Sequence, residues 1–329
     1  MGTSPLWDVL DALVTPHPAP RTKPAFWAYD GVRPLLIEAG DRITAREAER
    51  RVLILQNPAL PGAHRVTDTL YAGFQLVLPN EIAPSHRHTQ SALRLVLESD
   101  GAWTAVDGER VDMADFDLVL TPNWRWHEHG NDGDRPAIWL DGLDIPIVTA
   151  FAGGFAEHLG NNQPPAPAAP GDSRARYGSS LKPVAGTTAE RTATRYPLFH
   201  FPYAHWRAAL AATAKNSEAD PHFGYAMEFV NPVDGGPVMG TISAFAQMIP
   251  AGMTTRPRRQ SGSAVYVGVE GNAVVKVDGE TYRIGPRDVV AVPSWAELTI
   301  EAPGADVVLF SYSDRASMEK LDLWRERRD

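Results

Sequence analysis

The most informative part of the chain is residues 84–131, which read PSHRHTQSALRLVLESDGAWTAVDGERVDMADFDLVLTPNWRWHEHGN. Two His-x-His pairs lie at its ends, His86 with His88 and His127 with His129, and alternating strand sequence with Gly and Asp turns separates them. Successive side chains of a strand point to opposite faces, so the two histidines of each pair share a face. If the strands between them close a small barrel, three imidazoles can surround one metal ion. The stretch therefore predicts a metal site inside a β-barrel.

Short apolar strands separated by turn residues follow one another from Val66 onward, among them LYAGFQLVL, SALRLVLE, FDLVLTP and RPAIWLDGLDIPIV. This regular spacing predicts an all-β barrel or sandwich. Helices are predicted at residues 4–15 and 43–55, the second because Thr44 and Glu47 match a capping box ahead of helix-forming residues. A further helix is predicted toward the end of residues 196–215, and strands resume near Tyr225.

An internal repeat relates the two halves of the chain. SALRLVLESDGAWTAVDGERVDMADFDLVLTPNW aligns with SAVYVGVEGNAVVKVDGETYRIGPRDVVAVPSW, and the Pro/Ala/Gly-rich residues 161–180 between them are predicted to form a linker. Two copies of one β domain are therefore expected. The predicted boundaries are an N-terminal helical arm (1–60), a metal-binding barrel (61–160), a linker and helix (161–220), a metal-free barrel (221–315) and a C-terminal helix or tail (316–329).

The composition narrows the possible partners and ligands. A net charge of -9 and a pI near 5.6 argue against a nucleic-acid partner, which requires clustered Lys and Arg. The chain has no cysteine, so any metal must use nitrogen and oxygen ligands. Neither a membrane span nor a signal peptide is recognisable, which predicts a cytoplasmic protein without a membrane partner.

Longer motifs carry a family resemblance. The pattern H-x-H, strand, turn, strand and P-x-x-x-x-H resembles the two motifs of the cupin superfamily, and its duplication implies a bicupin. The segments ERRVLILQNP, TLYAGFQLVLP, APSHRHTQSALR, PNWRWHEHGN, WLDGLDIP and YPLFHFPY resemble the gentisate 1,2-dioxygenase family over nearly the whole chain. The resemblance implies a mainly β fold of two double-stranded β-helix (jelly-roll) barrels with N-terminal and linker helices. It also implies a homotetramer.

The predicted metal ligands are His86, His88 and His127, which leave other coordination positions open for a substrate and dioxygen. The residues after the first pair, TQSAL, contain no carboxylate ligand. Spacing alone does not separate iron from zinc, manganese or nickel. Fe(II), one per chain in the N-terminal barrel, is implied by the resemblance. His129 is predicted to be either a fourth ligand or, in preference, a hydrogen-bonding or acid–base group beside the metal.

The second copy lacks these ligands. RPRRQSGSAV replaces HRHTQSAL, with Arg256, Pro257, Arg258 and Arg259 around the equivalent positions, and PSWAEL, which ends at Leu298, replaces PNWRWH. We therefore expect a metal-free barrel that supports packing, oligomerisation or one edge of the active-site entrance. The arginines around residues 256–259 are expected on a solvated face or in an interface ion pair, with anion binding as the alternative.

The substrate-binding prediction rests on parity along the strands and on the resemblance. Arg94 lies at even spacing from His86 and His88 and is expected to point into the barrel, where a buried arginine without a protein partner favours an anion. Arg50 is preferred over Arg51 as a second inward arginine. Strand alternation adds three candidates for contact with the substrate ring: Tyr71, Gly73 and Gln75. The WLDGLDIP motif adds Asp141, which is expected to accept a hydrogen bond from His129 or from a substrate hydroxyl. Asp144 in the same motif is expected to cap a turn.

The resemblance implies a reaction. Gentisate would bind Fe(II) through its carboxylate and neighbouring hydroxyl, with O2 as co-substrate, and the ring would open between the carboxylate-bearing carbon and the adjacent hydroxylated carbon to give maleylpyruvate. Arg94 would orient the carboxylate, and His129 with Asp141 would take a proton from the distal hydroxyl. The alternatives are a sister dioxygenase acting on salicylate, 1-hydroxy-2-naphthoate or a substituted gentisate, and a noncatalytic bicupin that binds a small aromatic acid.

Overall fold

The structure is a computed structural model that describes residues 2–160, 162–180, 183 and 195–329. Its helical segments are the 3-10 turn Leu6–Asp8, α1 (Leu10–Leu13), α2 (Tyr29–Arg42), α3 (Ala45–Ala48), α4 (Ile145–Ala150), α5 (Asp172–Tyr177), α6 (Tyr203–Asn216) and α7 (Arg315–Lys320). Its strands are β1 (Ala25–Trp27), β2 (Arg51–Ile54), β3 (Tyr71–Val77), β4 (Ile82–His88), β5 (Ala92–Glu98), β6 (Ala102–Val106), β7 (Glu109–Asp112), β8 (Leu118–Thr121), β9 (His127–Asn131), β10 (Ala137–Leu143), β11 (Ala156–His158), β12 (His200–Phe201), β13 (Tyr225–Glu228), β14 (Ser243–Ile249), β15 (Arg258–Gln260), β16 (Ala264–Glu270), β17 (Ala273–Val277), β18 (Glu280–Ile284), β19 (Val289–Val292), β20 (Leu298–Glu301), β21 (Val307–Ser313) and β22 (Glu326–Arg328).

Two barrels account for most of these strands, as the repeat predicts. In the first barrel a six-stranded sheet, in the order β12-β8-β5-β10-β3-β2, is paired with a five-stranded sheet, β11-β4-β9-β6-β7. In the second barrel the sheets run β1-β19-β16-β21-β14-β13 and β18-β17-β20-β15-β22. The matching strand orders confirm that the two halves are copies of one β domain.

The largest apolar cluster joins the two six-stranded sheets. Leu93 and Leu95 of β5 contribute to it together with Val267 and Phe310 of the second barrel. Each fully buried aliphatic or aromatic side chain of this kind stabilises the fold by roughly 1.5–3 kcal/mol. Because side chains alternate along a strand, Arg94 must point away from this cluster and into the first barrel. The packing between the barrels therefore fixes the inward direction of that arginine.

The short strands before each barrel are exchanged between the barrels. β1 follows the N-terminal segment but pairs with β19 of the second barrel, and β12 follows the linker but pairs with β8 of the first barrel. The helix after each exchanged strand then returns to the barrel that follows it in sequence. In α2, the hydroxyl of Tyr29 donates to Glu98 at 2.9 Å and Nε of Arg33 donates to the same carboxylate at 2.7 Å. The same three-residue contact recurs at α6, formed by Tyr203, Arg207 and Glu270.

Several helices predicted from the local sequence differ in length or position from those in the structure. The capping box of Thr44 and Glu47 is present, but α3 is a single turn that ends at Ala48, and the next residue, Glu49, has a φ of 52°. Residues 51–54 form β2 instead of helix, because their backbone groups pair with β3. The helix predicted at residues 4–15 is broken into two short turns. The helix α2, which contains Pro34, was not predicted.

The domain boundaries also need revision. The predicted helical arm contributes β1 and β2 to the two barrels, and the C-terminal tail adds β22 to the second barrel after α7. The predicted linker contains α5, where Ser173 donates to the buried Glu109 of the first barrel. The predicted helix before the second barrel is confirmed as α6. Among the residues that the structure describes, none of the helices has the length and apolar character that a membrane span requires.

Candidate metal centre and active-site cavity

Three histidine side chains converge inside the first barrel. His86 and His88 stand on β4 and His127 stands on the antiparallel β9, directly opposite His86. The ring centroids lie 4.3 Å apart for His86 and His127, 4.9 Å for His88 and His127, and 5.3 Å for His86 and His88. One potential ligand nitrogen from each ring lies within 4.8 Å of the other two. The predicted ligand set is therefore brought together as three imidazoles around one point.

Hydrogen bonds orient two of these rings for metal binding. Nδ1 of His88 lies 2.8 Å from the carbonyl of Gln90, and Nδ1 of His127 lies 2.9 Å from the carbonyl of Arg125. A ring that donates from Nδ1 keeps its lone pair on Nε2, the usual arrangement for a metal ligand. Nε2 of His127 is buried and has no hydrogen-bond partner. A buried nitrogen without a partner costs free energy, and a bound metal ion removes that cost.

The histidines are held neutral, which is the form that binds a metal. Burial lowers the pKa of His86 to about 3, with the positive charge of Arg50 as the next contribution. Burial likewise lowers the pKa of His88 to about 4 and that of His127 well below its usual value. All three imidazoles therefore present lone pairs at neutral pH.

His129 lies beside this group but not within it. Its ring centroid is 5.6 Å from that of His127, and its Nδ1 is 2.9 Å from the hydroxyl of Thr104. The group of converging ligand nitrogens contains the other three histidines and not His129, which favours the predicted neighbouring role over a fourth ligand. Burial lowers the pKa of His129, with the charge of Arg94 as a further cause, and its Nε2 is buried without a partner.

Arg94 points into the barrel, as parity predicts, but the expectation that it lacks a protein partner is wrong. Its Nη1 donates to the hydroxyl of Thr121 at 2.5 Å, and its Nε lies 3.3 Å from Oδ1 of Asp141. The side chains are 4% and 7% exposed, so this ion pair is buried. The register of β5 and β10 explains the contact, because Arg94 and Asp141 are opposite each other.

Asp141 does not form the predicted hydrogen bond with His129. Its carboxylate instead contacts Arg94 and accepts from Nε1 of Trp139 at 3.2 Å, while Thr104 occupies the place of partner to His129. Burial raises the pKa of Asp141 to about 6, and the nearby Arg94 opposes that rise. Asp141 is therefore mostly ionised at pH 7 and balances the charge of Arg94.

A cavity of about 160 Å³ opens onto the three histidines. Its lining contains the predicted substrate-binding residues Arg50, Tyr71, Gln75 and Arg94, and also Asp141. Gly73 lies on the same strand between Tyr71 and Gln75. A Cβ at Gly73 would lie 2.5 Å from Cγ1 of Val52 and 2.9 Å from the hydroxyl of Tyr71. The absence of a side chain at Gly73 therefore sets the position of the tyrosine that lines the cavity.

The two adjacent arginines point in different directions. Arg50 lines the cavity, donates to the carbonyl of Pro84 at 2.8 Å and places Nη2 2.5 Å from Nδ1 of His86. Burial lowers the pKa of Arg50 to about 10, and repulsion from Arg94 adds to this. Arg51 is buried elsewhere and forms an ion pair with Glu81. The preference for Arg50 as the inward arginine agrees with this geometry.

Several residues at the site were not predicted. Val52, Ala92, Leu143 and Ile145 also line the cavity. Leu143 lies two residues after Asp141 on the same strand, so the alternation of side chains could have predicted that it faces the cavity. Val52 could be predicted only if residues 51–54 were known to form a strand. His158 on β11 lies opposite His86, with ring centroids 6.4 Å apart. Pairing between strands that are distant in sequence brings it there, and no local pattern marks it.

Other residue types stand in the second barrel where the first barrel has its histidines. Arg258 and Leu298 face each other in the register that His86 and His127 occupy in the first barrel. Leu298 is buried in the apolar interior. Among the described residues, one group of converging ligands is found, and it is the one in the first barrel.

The solvated position expected for the arginines of the second barrel is wrong for Arg258. This side chain is 2% exposed, and it donates to the carbonyl of His222 at 2.6 Å and to the hydroxyl of Tyr266 at 3.0 Å. Arg259 instead pairs with carboxylates near the surface, Asp278 and Glu297. A buried arginine therefore replaces a metal ligand in this barrel.

Comparison with known proteins agrees with this arrangement. Residues 73–143 match the family model described as "Cupin domain". The chain is 45% identical to gentisate 1,2 dioxygenase 1 of Aquipseudomonas alcaligenes, over 99% of this chain and 93% of that protein. The chain belongs to the gentisate 1,2-dioxygenase family. The prediction of a ring-cleaving dioxygenase is confirmed at the level of the family, and the alternative of a noncatalytic bicupin is set aside.

Other members of the family differ in the acid they are named for. The chain is 35% identical to a 5-aminosalicylate 1,2-dioxygenase of a Comamonas species, over 98% of this chain and 86% of that protein. The solved structure of a salicylate 1,2-dioxygenase from Pseudaminobacter salicylatoxidans superposes with a TM-score of 0.90 at 32% identity, covering 99% of this chain and 94% of that one. The fold is therefore the predicted bicupin.

Proposed function

We propose that this dioxygenase binds Fe(II) at His86, His88 and His127 and opens gentisate with O2 to give maleylpyruvate. The ring is cleaved between the carboxylate-bearing carbon and the adjacent hydroxylated carbon. One observation carries the choice of an aromatic acid: Arg50 and Arg94 line the same small cavity as the three histidines. The relatives are named for gentisate and salicylates, all of which carry a carboxylate beside a ring hydroxyl.

The residues present fit an Fe(II) ion. Three neutral imidazoles form the donor set, and the Nε2 atom of His127 has no protein partner. Three protein ligands leave coordination positions for other molecules, as in non-haem iron oxygenases. When bound there, Fe(II) supplies a Lewis acid for the chelating oxygens and electron transfer between the ring and O2.

The side chains of the cavity carry a net positive charge, to which a bound Fe(II) ion would add, and they therefore favour an anionic substrate. Arg50 and Arg94 carry two positive charges, and Asp141, with a pKa of about 6, supplies one negative charge at pH 7. One positive charge therefore remains among these three side chains. A buried positive charge is stabilised by a partner anion, and a guanidinium binds a carboxylate with charge-assisted hydrogen bonds.

Within the described part of the chain, Arg50 is held by backbone carbonyls and not by an ion pair: its Nη1 donates to Glu49 at 2.9 Å and its Nη2 donates to Pro84 at 2.8 Å. A histidine that gives its Nε2 lone pair to a metal carries its proton on Nδ1, and Nδ1 of His86 then donates to the carbonyl of Pro84, 3.4 Å away. Arg50 Nη2 also donates, so it loses its contact with that Nδ1 when the metal binds. Arg50 then keeps its hydrogen bonds to the carbonyls of Glu49 and Pro84. Its guanidinium together with that of Arg94, fixed by Thr121 and Asp141, is proposed to bind the substrate carboxylate.

His129 is the proposed acid–base group. The hydroxyl of Thr104 fixes Nδ1, and the lowered pKa keeps the imidazole neutral. The Thr104 hydroxyl donates to Met113 and accepts from Nδ1 of His129, so the unpartnered Nε2 keeps its lone pair and can accept the proton of the distal ring hydroxyl, which increases electron donation from the ring. Asp141 contributes by holding Arg94 rather than by assisting His129.

The size of the cavity favours an acid with a single ring. Its volume of about 160 Å³ is well below the roughly 300–1,000 Å³ of pockets that hold drug-sized ligands. Tyr71 and Val52, placed by Gly73, limit one wall. Gentisate, salicylate and 5-aminosalicylate therefore fit better than 1-hydroxy-2-naphthoate.

Oxygen consumption by the Fe(II)-loaded protein tests the proposal. Gentisate, salicylate, 5-aminosalicylate and 1-hydroxy-2-naphthoate are supplied separately, and the product is identified by its mass and ultraviolet spectrum. The highest kcat/KM is expected with gentisate. Faster uptake with a salicylate would assign the chain to a sister activity, and no uptake with any acid would overturn the proposal.

We also infer that the chain forms a homo-oligomer, for which a tetramer is the family-based prediction. The N-terminal segment exposes apolar side chains that a lone chain leaves in water: Leu6, Trp7, Leu10, Leu13 and Val14. Trp7 is 82% exposed. Exposed apolar clusters of this kind mark contact surfaces. Light scattering of the purified protein measures the mass, and a value for a single chain would contradict this inference.

A further inference from the structure

The metal-free barrel reaches the wall of the substrate cavity through one buried tyrosine. Tyr312 stands on β21 of the second barrel and is completely buried. Its hydroxyl donates to the backbone carbonyl of Tyr71 at 2.8 Å. Tyr71 begins β3 and lines the cavity. The hydrogen bond therefore ties the second barrel to the first residue of a cavity-lining strand.

The ring of Tyr312 also packs against a second cavity-lining strand. A Cβ at Gly142 would lie 2.7 Å from Cζ of Tyr312, so the glycine is needed for the ring to fit there. Gly142 stands between Asp141 and Leu143, both of which line the cavity. One side chain of the second barrel thus contacts two adjacent strands of the cavity wall, β3 and β10.

This contact breaks the symmetry of the two barrels. Gly142 pairs with Ala72 in the first barrel, and Tyr312 pairs with Ala244 at the equivalent place in the second. Another pair of contacts between the barrels is symmetric: Thr241 of the second barrel donates to Asp144, and Thr69 of the first barrel donates to Asp314. The tyrosine occurs on one side alone and points toward the barrel that has the metal ligands.

We infer that Tyr312 is a positioning residue for substrate binding: it fixes Tyr71 and the strand of Asp141 from behind the cavity wall. The metal-free barrel thereby takes part in defining the substrate site without touching the substrate. Removing the hydroxyl takes one hydrogen-bond donor from the Tyr71 carbonyl and frees the start of β3 to shift. This inference takes from the proposed function only that the ligand is an aromatic acid.

Tyr312→Phe tests the inference, with Tyr266→Phe as the matched control. Tyr266 is a buried tyrosine of the same barrel whose hydroxyl binds Arg258 and not the first barrel. Steady-state kinetics use whichever acid of the panel the wild-type protein consumes fastest, so a failure of gentisate as substrate is seen separately. Bound iron and thermal midpoint are measured on each protein.

Tyr312→Phe is expected to raise KM several-fold, up to about tenfold if the whole free energy of one buried hydrogen bond is transmitted to substrate binding, with kcat changed less than about twofold. Tyr266→Phe is expected to lower the thermal midpoint and leave KM unchanged. Gly142→Ala displaces the same ring from the opposite side and is expected to raise KM as well, so it carries the test if Tyr312→Phe does not fold. An unchanged KM in Tyr312→Phe, or an equal rise in Tyr266→Phe, would overturn the inference.

Discussion

Replacing Arg94 by Met separates its role in substrate binding from its role in stability. The substitution keeps much of the apolar volume and removes the guanidinium that faces the cavity. A charge-assisted hydrogen bond to a carboxylate contributes roughly 1.5–3 kcal/mol, so KM for the aromatic acid should rise by about 10- to 150-fold. Because Thr121 and Asp141 also lose a partner, the folded protein should become less stable.

The pKa of Asp141 limits the size of that stability loss. A buried ionised carboxylate without its cation would cost roughly 3–5 kcal/mol. Because burial raises the pKa of Asp141 to about 6, however, the carboxylate can take up a proton near neutral pH, which costs less than leaving it charged and unpaired, and the pKa rises further once Arg94 is absent. The double variant Arg94→Met/Asp141→Asn removes the carboxylate charge and should recover part of the stability without restoring KM.

Oxygen-electrode kinetics and calorimetry on the single and double variants supply both quantities. Arg51→Met is the matched control, since Arg51 is a buried arginine paired with Glu81 outside the cavity. It should lower the thermal midpoint and leave KM unchanged. The reasoning is refuted if Arg94→Met leaves KM at the wild-type value, or if Arg51→Met raises KM to the same extent.

Three further predictions concern other residues. Gly73→Ala should lower kcat/KM more for 1-hydroxy-2-naphthoate than for gentisate, because its Cβ meets Val52 and the Tyr71 hydroxyl; equal losses for the two acids would argue against a size effect. Burial raises the pKa of Asp144 from 3.8 to about 6, so its protonation stabilises the fold below about pH 4 and that stabilisation is lost as pH rises through 6. The free energy of unfolding of Asp144→Asn, measured by urea titration, should therefore rise relative to that of the wild type as the pH is raised from 4 to 7. A difference between the two proteins that does not change with pH would contradict this. Leu298→His should not create a second metal site, since the buried arginine opposite it remains, and a second bound ion per chain by metal analysis would show otherwise.

The alternation of side chains along a strand predicted those site residues whose direction depends only on their own strand. His86 and His88 share a face of β4, and Arg94 on β5 of the other sheet also points into the barrel interior. The repeat predicted two barrels and the loss of ligands in the second. These features are local in sequence or repeat along it, so alternation and alignment were sufficient.

The features that were missed depend on which strands become neighbours. The ion pair of Arg94 with Asp141 follows from the register of β5 and β10, which no pattern within either strand specifies. The exchange of β1 and β12 between barrels is likewise set by pairing over long sequence distances. Residues 51–54 were expected to be helical because helix-forming residues surround them, but pairing with β3 outweighs that local preference.

Metal analysis tests the central claim most directly. Wild-type protein and a His127→Ala variant are loaded with Fe(II) without oxygen, desalted, and analysed for iron by mass spectrometry. The wild-type chain is expected to retain about one iron, because its three histidines form the one converging group among the described residues, and the variant is expected to retain none. Stoichiometric iron in His127→Ala, or a wild-type chain that retains no iron, would contradict the proposed metal centre.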